Sequence, residues 1–136
     1  MFEESVKPGI IVFAHGSRIE AANQAVRSTA AELARAGGFP HVEAAFLELG
    51  QPNLEGAVAR LAGLRVSRIV VVPYFLTLGI HLERDLPALV QSISSLYKEL
   101  EIIVAAPLDG HPSLVGILED RIRSVAELSP SHSKHP

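Results

Sequence analysis

Residues 9–18 read Gly-Ile-Ile-Val-Phe-Ala-His-Gly-Ser-Arg. A half-buried strand alternates apolar and polar residues. A short, continuous apolar run ending in a polar turn is instead a strand buried on both faces. Two further runs share this character: Arg-Ile-Val-Val-Val-Pro at 68–73, rich in β-branched residues, and Glu-Ile-Ile-Val-Ala at 101–105. A less regular strand is predicted over 42–47. Between these runs the apolar period changes from continuous to helical. Over 18–36, Ile19, Ala22, Val26, Ala30 and Leu33 recur at three- and four-residue spacing, and Gly37-Gly38 closes the helix. Asn53 caps a second helix carrying Leu54, Ala57, Val58 and Leu61, which ends near Gly63. Asp85 and Pro87 mark the start of a third, with Leu89, Val90, Ile93, Leu96 and Leu100 on one face. Pro112 opens a fourth, with Leu114, Val115, Leu118, Ile122 and Val125. Strand–helix alternation with apolar strands predicts an α/β fold: a doubly wound, four-stranded parallel sheet, order 2-1-3-4, with helices on both faces. Ligands of such sheets lie beyond the carboxyl ends of the strands, where strand order reverses. That crevice falls between strands 1 and 3.

The chain has 136 residues, 48% hydrophobic and 20% charged, which fits one domain with a full core. The domain is predicted over 1–128. The tail at 129–136 holds only Ser, Pro, His and Lys and reads as disordered. Cysteine is absent, which excludes disulfides, thiolate catalysis and iron–sulfur ligation. A metal must then be held by histidine, carboxylate or backbone oxygen. The net charge of −3 does not favour nucleic-acid binding. The apolar run at 69–80 is too short to span a bilayer, and the acidic start lacks a secretory n-region. A cytoplasmic location is the expectation.

Each strand is followed by polar residues that topology sends to one end of the sheet. Strand 1 leads to His15, Gly16, Ser17 and Arg18; strand 2 to Glu48; strand 3, through 74–80, to His81; strand 4 to Asp109 and His111. His15, Glu48 and His81 are separated by 33 residues each, the length of one strand–helix unit. Two histidines and a carboxylate converging on a crevice suit a borderline divalent cation. Each residue also has a plainer reading. His15 caps a helix, Gly16 and Ser17 make a tight turn, Glu48 is solvated, and 74–80 is core. Seven mostly apolar residues between a strand and a helix cap nevertheless exceed a simple connection, and they suit one wall of a ligand cleft. His111 reads as a turn residue and His41 as structural. His132 and His135 belong to the tail.

Taken together, His15-Gly16-Ser17-Arg18, Phe46-Leu47-Glu48-Leu49, Val72-Pro73-Tyr74-Phe75-Leu76, Gly79-Ile80-His81 with Asp85-Leu86-Pro87, and Pro107-Leu108-Asp109-Gly110-His111-Pro112 resemble the sirohydrochlorin chelatases of the CbiX/SirB type. The resemblance covers about 9–128. It implies ATP-independent insertion of Co²⁺ or Fe²⁺, or Ni²⁺ as in small archaeal members, into sirohydrochlorin for cobalamin or siroheme biosynthesis. It implies no nucleotide and no flavin. His15 and His81 match the family's active-site histidines and Glu48 its glutamate. The short form resembles half of a two-lobed chelatase, which implies a homodimer.

A mechanism follows as a hypothesis. His15 and His81 hold the metal or take the pyrrole protons, and Glu48 ligates or orients a histidine. The wall formed by Tyr74, Phe75, Thr77, Leu78, Gly79 and Ile80 packs on the macrocycle. Arg18, Arg84 and the backbone N–H groups of Gly16 and Ser17 meet the substrate's carboxylates. Three rivals remain. A serine hydrolase using Ser17 lacks the Gly-x-Ser-x-Gly elbow. A flavodoxin-like signalling or dinucleotide module lacks the acidic cluster and the glycine loop. A non-catalytic metal carrier would use the same histidines, and turnover separates it from a chelatase.

Overall fold

The computed structural model describes residues 7–126. The tail at 129–136, with His132 and His135, lies outside the described residues. The element order is β1 (Gly9–Ala14), α1 (Glu20–Gly37), β2 (Val42–Phe46), α2 (Leu54–Gly63), β3 (Arg68–Pro73), α3 (Gly79–Ser94), β4 (Glu101–Val104) and α4 (Ser113–Ala126). All strands pair in parallel in the order β2-β1-β3-β4, as the apolar runs predict.

Right-handed crossovers decide which helix covers which face. The chain moves from β1 outward to β2, which puts α1 on one face. It then reverses across β1 to β3 and on to β4, which puts α2 and α3 on the other. The buried clusters match this division. Val12, Ala14, Ala44 and Phe46 meet Ala30, Val26 and Leu33 of α1. Ile11, Phe13, Ala45, Ile69 and Val71 meet Leu54, Ala57, Val58 and Leu61 of α2 and Leu86, Val90 and Ile93 of α3. β1 is buried along its whole length, because it lies inside both clusters.

Local signals account for most boundaries. Gly38, at φ 69°, ends α1 in the left-handed conformation and returns its N–H to the Ala34 carbonyl. The Asn53 side chain accepts from the Gly56 N–H at 2.8 Å and starts α2. The start of α3 corrects the sequence reading. The helix begins at Gly79, not at Asp85 and Pro87, which lie inside it. Leu82, Leu86, Val90 and Ile93 form one continuous face against the core, and that burial outweighs the hydrogen bond Pro87 removes. The apolar connection therefore shortens to 74–78, with Gly79, Ile80 and His81 in the first helical turn.

A second difference concerns α4. It forms where Pro112 predicts, but none of its residues is buried and none joins either core cluster. Among the described residues no helix is long and apolar enough to cross a membrane.

Leu61 is fully buried between α2 and the sheet. Leu61→Ala is expected to lower the unfolding free energy by about 3 kcal/mol through lost burial and a residual cavity. Urea denaturation followed by circular dichroism measures this.

Candidate functional site at the carboxyl ends of β1, β2 and β3

The β1–β2 pairing does not stop at the strand ends. The Leu47 N–H donates to the Ala14 carbonyl at 2.9 Å, and the Glu48 N–H to the His15 carbonyl at 3.1 Å. This zipper carries His15 and Glu48 out of the sheet side by side. His15 Nδ1 lies 3.8 Å from Glu48 Oε2, and both side chains are more than half exposed. Gly16 makes the approach possible. It has φ 99°, and a Cβ there would stand 1.7 Å from the Glu48 carbonyl oxygen. Any other residue would part the two turns.

Asn23, in the first turns of α1, locks the arrangement from beneath. It is the buried polar side chain of the described core, 2% exposed. Its Oδ1 accepts from the Ser17 N–H at 2.9 Å. Its amide donates to the Ser17 and Leu49 carbonyls, both at 2.9 Å, and to Glu20 Oε1 at 3.3 Å. One amide thus ties the turn after β1 to the turn after β2. Arg27 adds an outer strap: it donates to Glu20 Oε2 at 2.7 Å and to the Gln51 carbonyl at 3.0 Å, and it stacks on the Phe46 ring. Its hydrogen bond, helped by that from Asn23, holds the exposed Glu20 carboxyl below its ordinary pKa.

The opposite wall comes from the segment after β3. The Tyr74 N–H donates to the Phe13 carbonyl at 2.7 Å, which joins this segment to β1. The Phe75 ring leans on Phe13 at 6.0 Å and meets the His15 ring edge-on at 6.2 Å. Phe75 and Leu78 pack against the core, whereas Tyr74, Leu76, Thr77 and Ile80 face solvent. Leu108 and Asp109 donate backbone N–H groups to the Phe75 and Leu76 carbonyls, at 3.1 and 2.7 Å. Between these two loops lies a cavity of about 340 Å³ lined by Thr77, Leu78, Gly79, Ile80, Glu83 and Asp109, among others.

The sequence-predicted site residues are thus partly assembled. His15, Glu48 and the 74–78 wall converge. His81 is exposed in the first turn of α3, and among the described residues no three histidine or carboxylate side chains gather closely enough to hold a metal. Arg18 is exposed, and no ion pair engages it among the described residues. Arg84 lies 3.9 Å from Asp85, both exposed. The Ser17 N–H is not a free anion donor as expected, because the Asn23 side chain occupies it. The His111 ring accepts from the Ser113 N–H at 3.0 Å, the turn role its place before Pro112 suggests. Asn23 escaped sequence reading. The available signal was an amide among alanines on the face of α1 that the apolar period buries.

The chain matches the CbiX family model over residues 9–125. A sirohydrochlorin cobaltochelatase of Methanopyrus kandleri is 31% identical over 134 residues, covering 84% of this chain and 94% of that one. The chloroplastic sirohydrochlorin ferrochelatase of Arabidopsis thaliana is 31% identical over 115 residues, covering 85% of this chain and 51% of that one. Among solved structures, the sirohydrochlorin chelatase SirB from Bacillus subtilis subspecies spizizenii in complex with cobalt superposes with a TM-score of 0.81 at 26% identity. It covers 89% of this chain and 52% of that one.

Asn23→Ala leaves the Ser17 N–H and the Leu49 carbonyl without their partner and is expected to cost about 3 kcal/mol of stability. Gly16→Ala is expected to cost at least about 2 kcal/mol, from strain at positive φ and the clash with Glu48. Chemical denaturation of both variants checks these values.

Proposed function

The chain belongs to the CbiX family, and from that premise we propose that it inserts a divalent metal ion into sirohydrochlorin without consuming ATP. One relative is named for cobalt insertion and another for iron, so Co²⁺ and Fe²⁺ are the metals assigned as substrates. The observation that carries the reading is the His15–Glu48 pair. In a chain matched along nearly its whole described length, it stands at the crevice where strand order reverses.

Metal insertion requires that the ion shed water, that two pyrrole N–H protons leave, and that the macrocycle lie against the metal. A neutral imidazole suits Co²⁺ and Fe²⁺ and accepts a proton near pH 7. Two ligand atoms bound to one ion at about 2.0–2.2 Å stand about 3–3.5 Å apart. The 3.8 Å separation of His15 Nδ1 and Glu48 Oε2 is close to that spacing, and exposed side chains close the remainder. In this reading His15 and Glu48 receive the ion, and the carboxylate passes protons to water. His81 works from the start of α3 as the second histidine, as ligand or base. Tyr74, Phe75, Thr77, Leu78, Gly79 and Ile80 form the face on which the tetrapyrrole rests. Arg18 and Arg84 meet its carboxylates, as does the Gly16 backbone N–H.

The archaeal relative is spanned almost in full, while the plant relative and the cobalt-bound SirB are about twice as long. This supports a homodimer in which two short chains build what one long chain holds. A carrier that only binds the ion is not favoured, because the curated relatives are named as enzymes.

Anaerobic assays that follow the absorbance of sirohydrochlorin test the proposal. Multiple turnovers with Co²⁺, Fe²⁺ or Ni²⁺ distinguish an enzyme from a carrier, and the relative rates identify the preferred metal. His81→Ala and His15→Ala are each expected to lower the rate at least 100-fold with an unchanged circular dichroism spectrum. Near-normal insertion by both variants overturns the assignment. Arg18→Gln is expected to raise KM for sirohydrochlorin several-fold with little change in kcat.

A further inference from the structure

Three apolar side chains stand exposed on the turns beside the His15–Glu48 pair, two of them where the backbone itself disfavours them. Ile19 occupies the N-cap of α1. That position favours Ser, Thr, Asp or Asn, whose side chains accept from the free N–H groups of the first turn. Ile19 makes no such bond and is 67% exposed. Leu49 follows Glu48 in the turn after β2, with φ 60°. A left-handed backbone favours Gly, Asn or Asp, because a larger side chain crowds the following carbonyl. Leu49 is 49% exposed, and Leu47, on the other side of Glu48, is 37% exposed. None of the three joins a core cluster.

Single exposed apolar residues are ordinary. These three are gathered. The Ile19 N–H donates to Ser17 Oγ at 3.0 Å, and the Asn23 amide donates to both the Ser17 and the Leu49 carbonyls. The Leu47 N–H is bonded to the Ala14 carbonyl. The network that places His15 and Glu48 thus places these side chains too, and it holds Leu49 in its strained conformation. Their exposure means that burial offsets none of that strain. Local rules broken without a structural gain mark positions that serve a ligand.

We infer that Ile19, Leu47 and Leu49 form a second apolar contact for the tetrapyrrole substrate, across the His15–Glu48 pair from the wall at 74–80. The inference rests on the chelatase reading above and adds residues to its substrate site. Topology supports the placement. β1 lies between β2 and β3, so the turns after β2 and β3 stand about 10 Å apart, with His15 between them. A flat tetrapyrrole is wide enough to touch both. Its ring is apolar and its periphery carries carboxylates. Ile19 directly follows Arg18, so this side of the crevice offers an apolar contact beside a cation, the combination such a molecule presents in reverse.

The backbone positions give the test its sign. Ile19→Ser supplies a helix cap and Leu49→Asn suits a left-handed turn, and neither alters the charge. Each is expected to hold or raise the urea midpoint while weakening sirohydrochlorin binding about 5-fold, through lost apolar contact. Adding Leu47→Asn to both brings the loss to at least about 50-fold, and KM for sirohydrochlorin rises with it. Binding is read by anaerobic fluorescence titration of the metal-free protein with sirohydrochlorin, and light scattering follows the mass of the same samples. Unchanged binding by the triple variant overturns the contact. Weaker binding confined to samples whose mass has fallen overturns it too, since the side chains then hold subunits together. So does a lower urea midpoint for both single variants, since the side chains then serve the fold. The chelatase reading fails separately: a parent protein that binds sirohydrochlorin but completes no turnover defeats that reading, and the titrations still judge the contact. A parent protein that does not bind sirohydrochlorin overturns both.

Discussion

The pairing of His15 with Glu48 depends on two backbone hydrogen bonds made just beyond the sheet. Leu47 to Ala14 and Glu48 to His15 extend the β1–β2 ladder past the strand ends. Ladder bonds fix register, and register here fixes which side chains emerge as neighbours. The constraint is severe because the two turns touch. Gly16 has no side chain to give way, and the Glu48 carbonyl occupies the space a methyl group would need. The Asn23 amide then satisfies backbone groups of both turns at once, in a place where unpaired polar groups are costly. A histidine and a carboxylate on opposing turns thus stand together without any direct hydrogen bond between them. That leaves both free to engage an ion or a proton.

The two walls of the crevice are built differently. The His15–Glu48 side is knotted by the ladder, the amide and the Arg27 strap. The 74–78 side is held by aromatic contact and by backbone bonds to the loop after β4. Phe75 joins them, its ring shared between the core residue Phe13 and the exposed His15. An aromatic contact against imidazole limits ring orientation without consuming a nitrogen lone pair.

The sheet order was legible because β1, β3 and β4 read as apolar runs that only a two-sided parallel sheet accommodates, and handedness left one simple topology. His15, Glu48 and the apolar wall were legible because they follow strands at one unit's spacing. Other features were not. Pro87 reads as a helix start, since proline favours first turns. The Leu82, Leu86, Val90 and Ile93 face was the stronger signal, and it extends α3 by two turns towards the crevice. The equal spacing of 33 residues put His81 at the correct end of the sheet but not against the other two, because spacing along the chain does not report how a helix start is turned. Asn23 was silent because its value lies in three backbone partners that only the folded turns bring near. Periodicity marks the apolar stripe of α4 but does not report whether the helix buries it, and here none of its residues is buried.

Pro87 has a consequence for how α3 behaves. Without its N–H, the Glu83 carbonyl has no partner one turn ahead, so the helix is divided mechanically. The trailing part is anchored by Leu86, Val90 and Ile93 in the core, whereas the leading part, which carries His81, is held by Leu82 alone among the core residues. Local opening is governed by the contacts broken, and the leading turns break few. The histidine therefore rides on a short lever whose fulcrum is a proline and whose long arm is fixed. Its backbone has few core contacts to hold it, in contrast to that of His15, which is tied to the turn after β2 by the ladder beyond the strands.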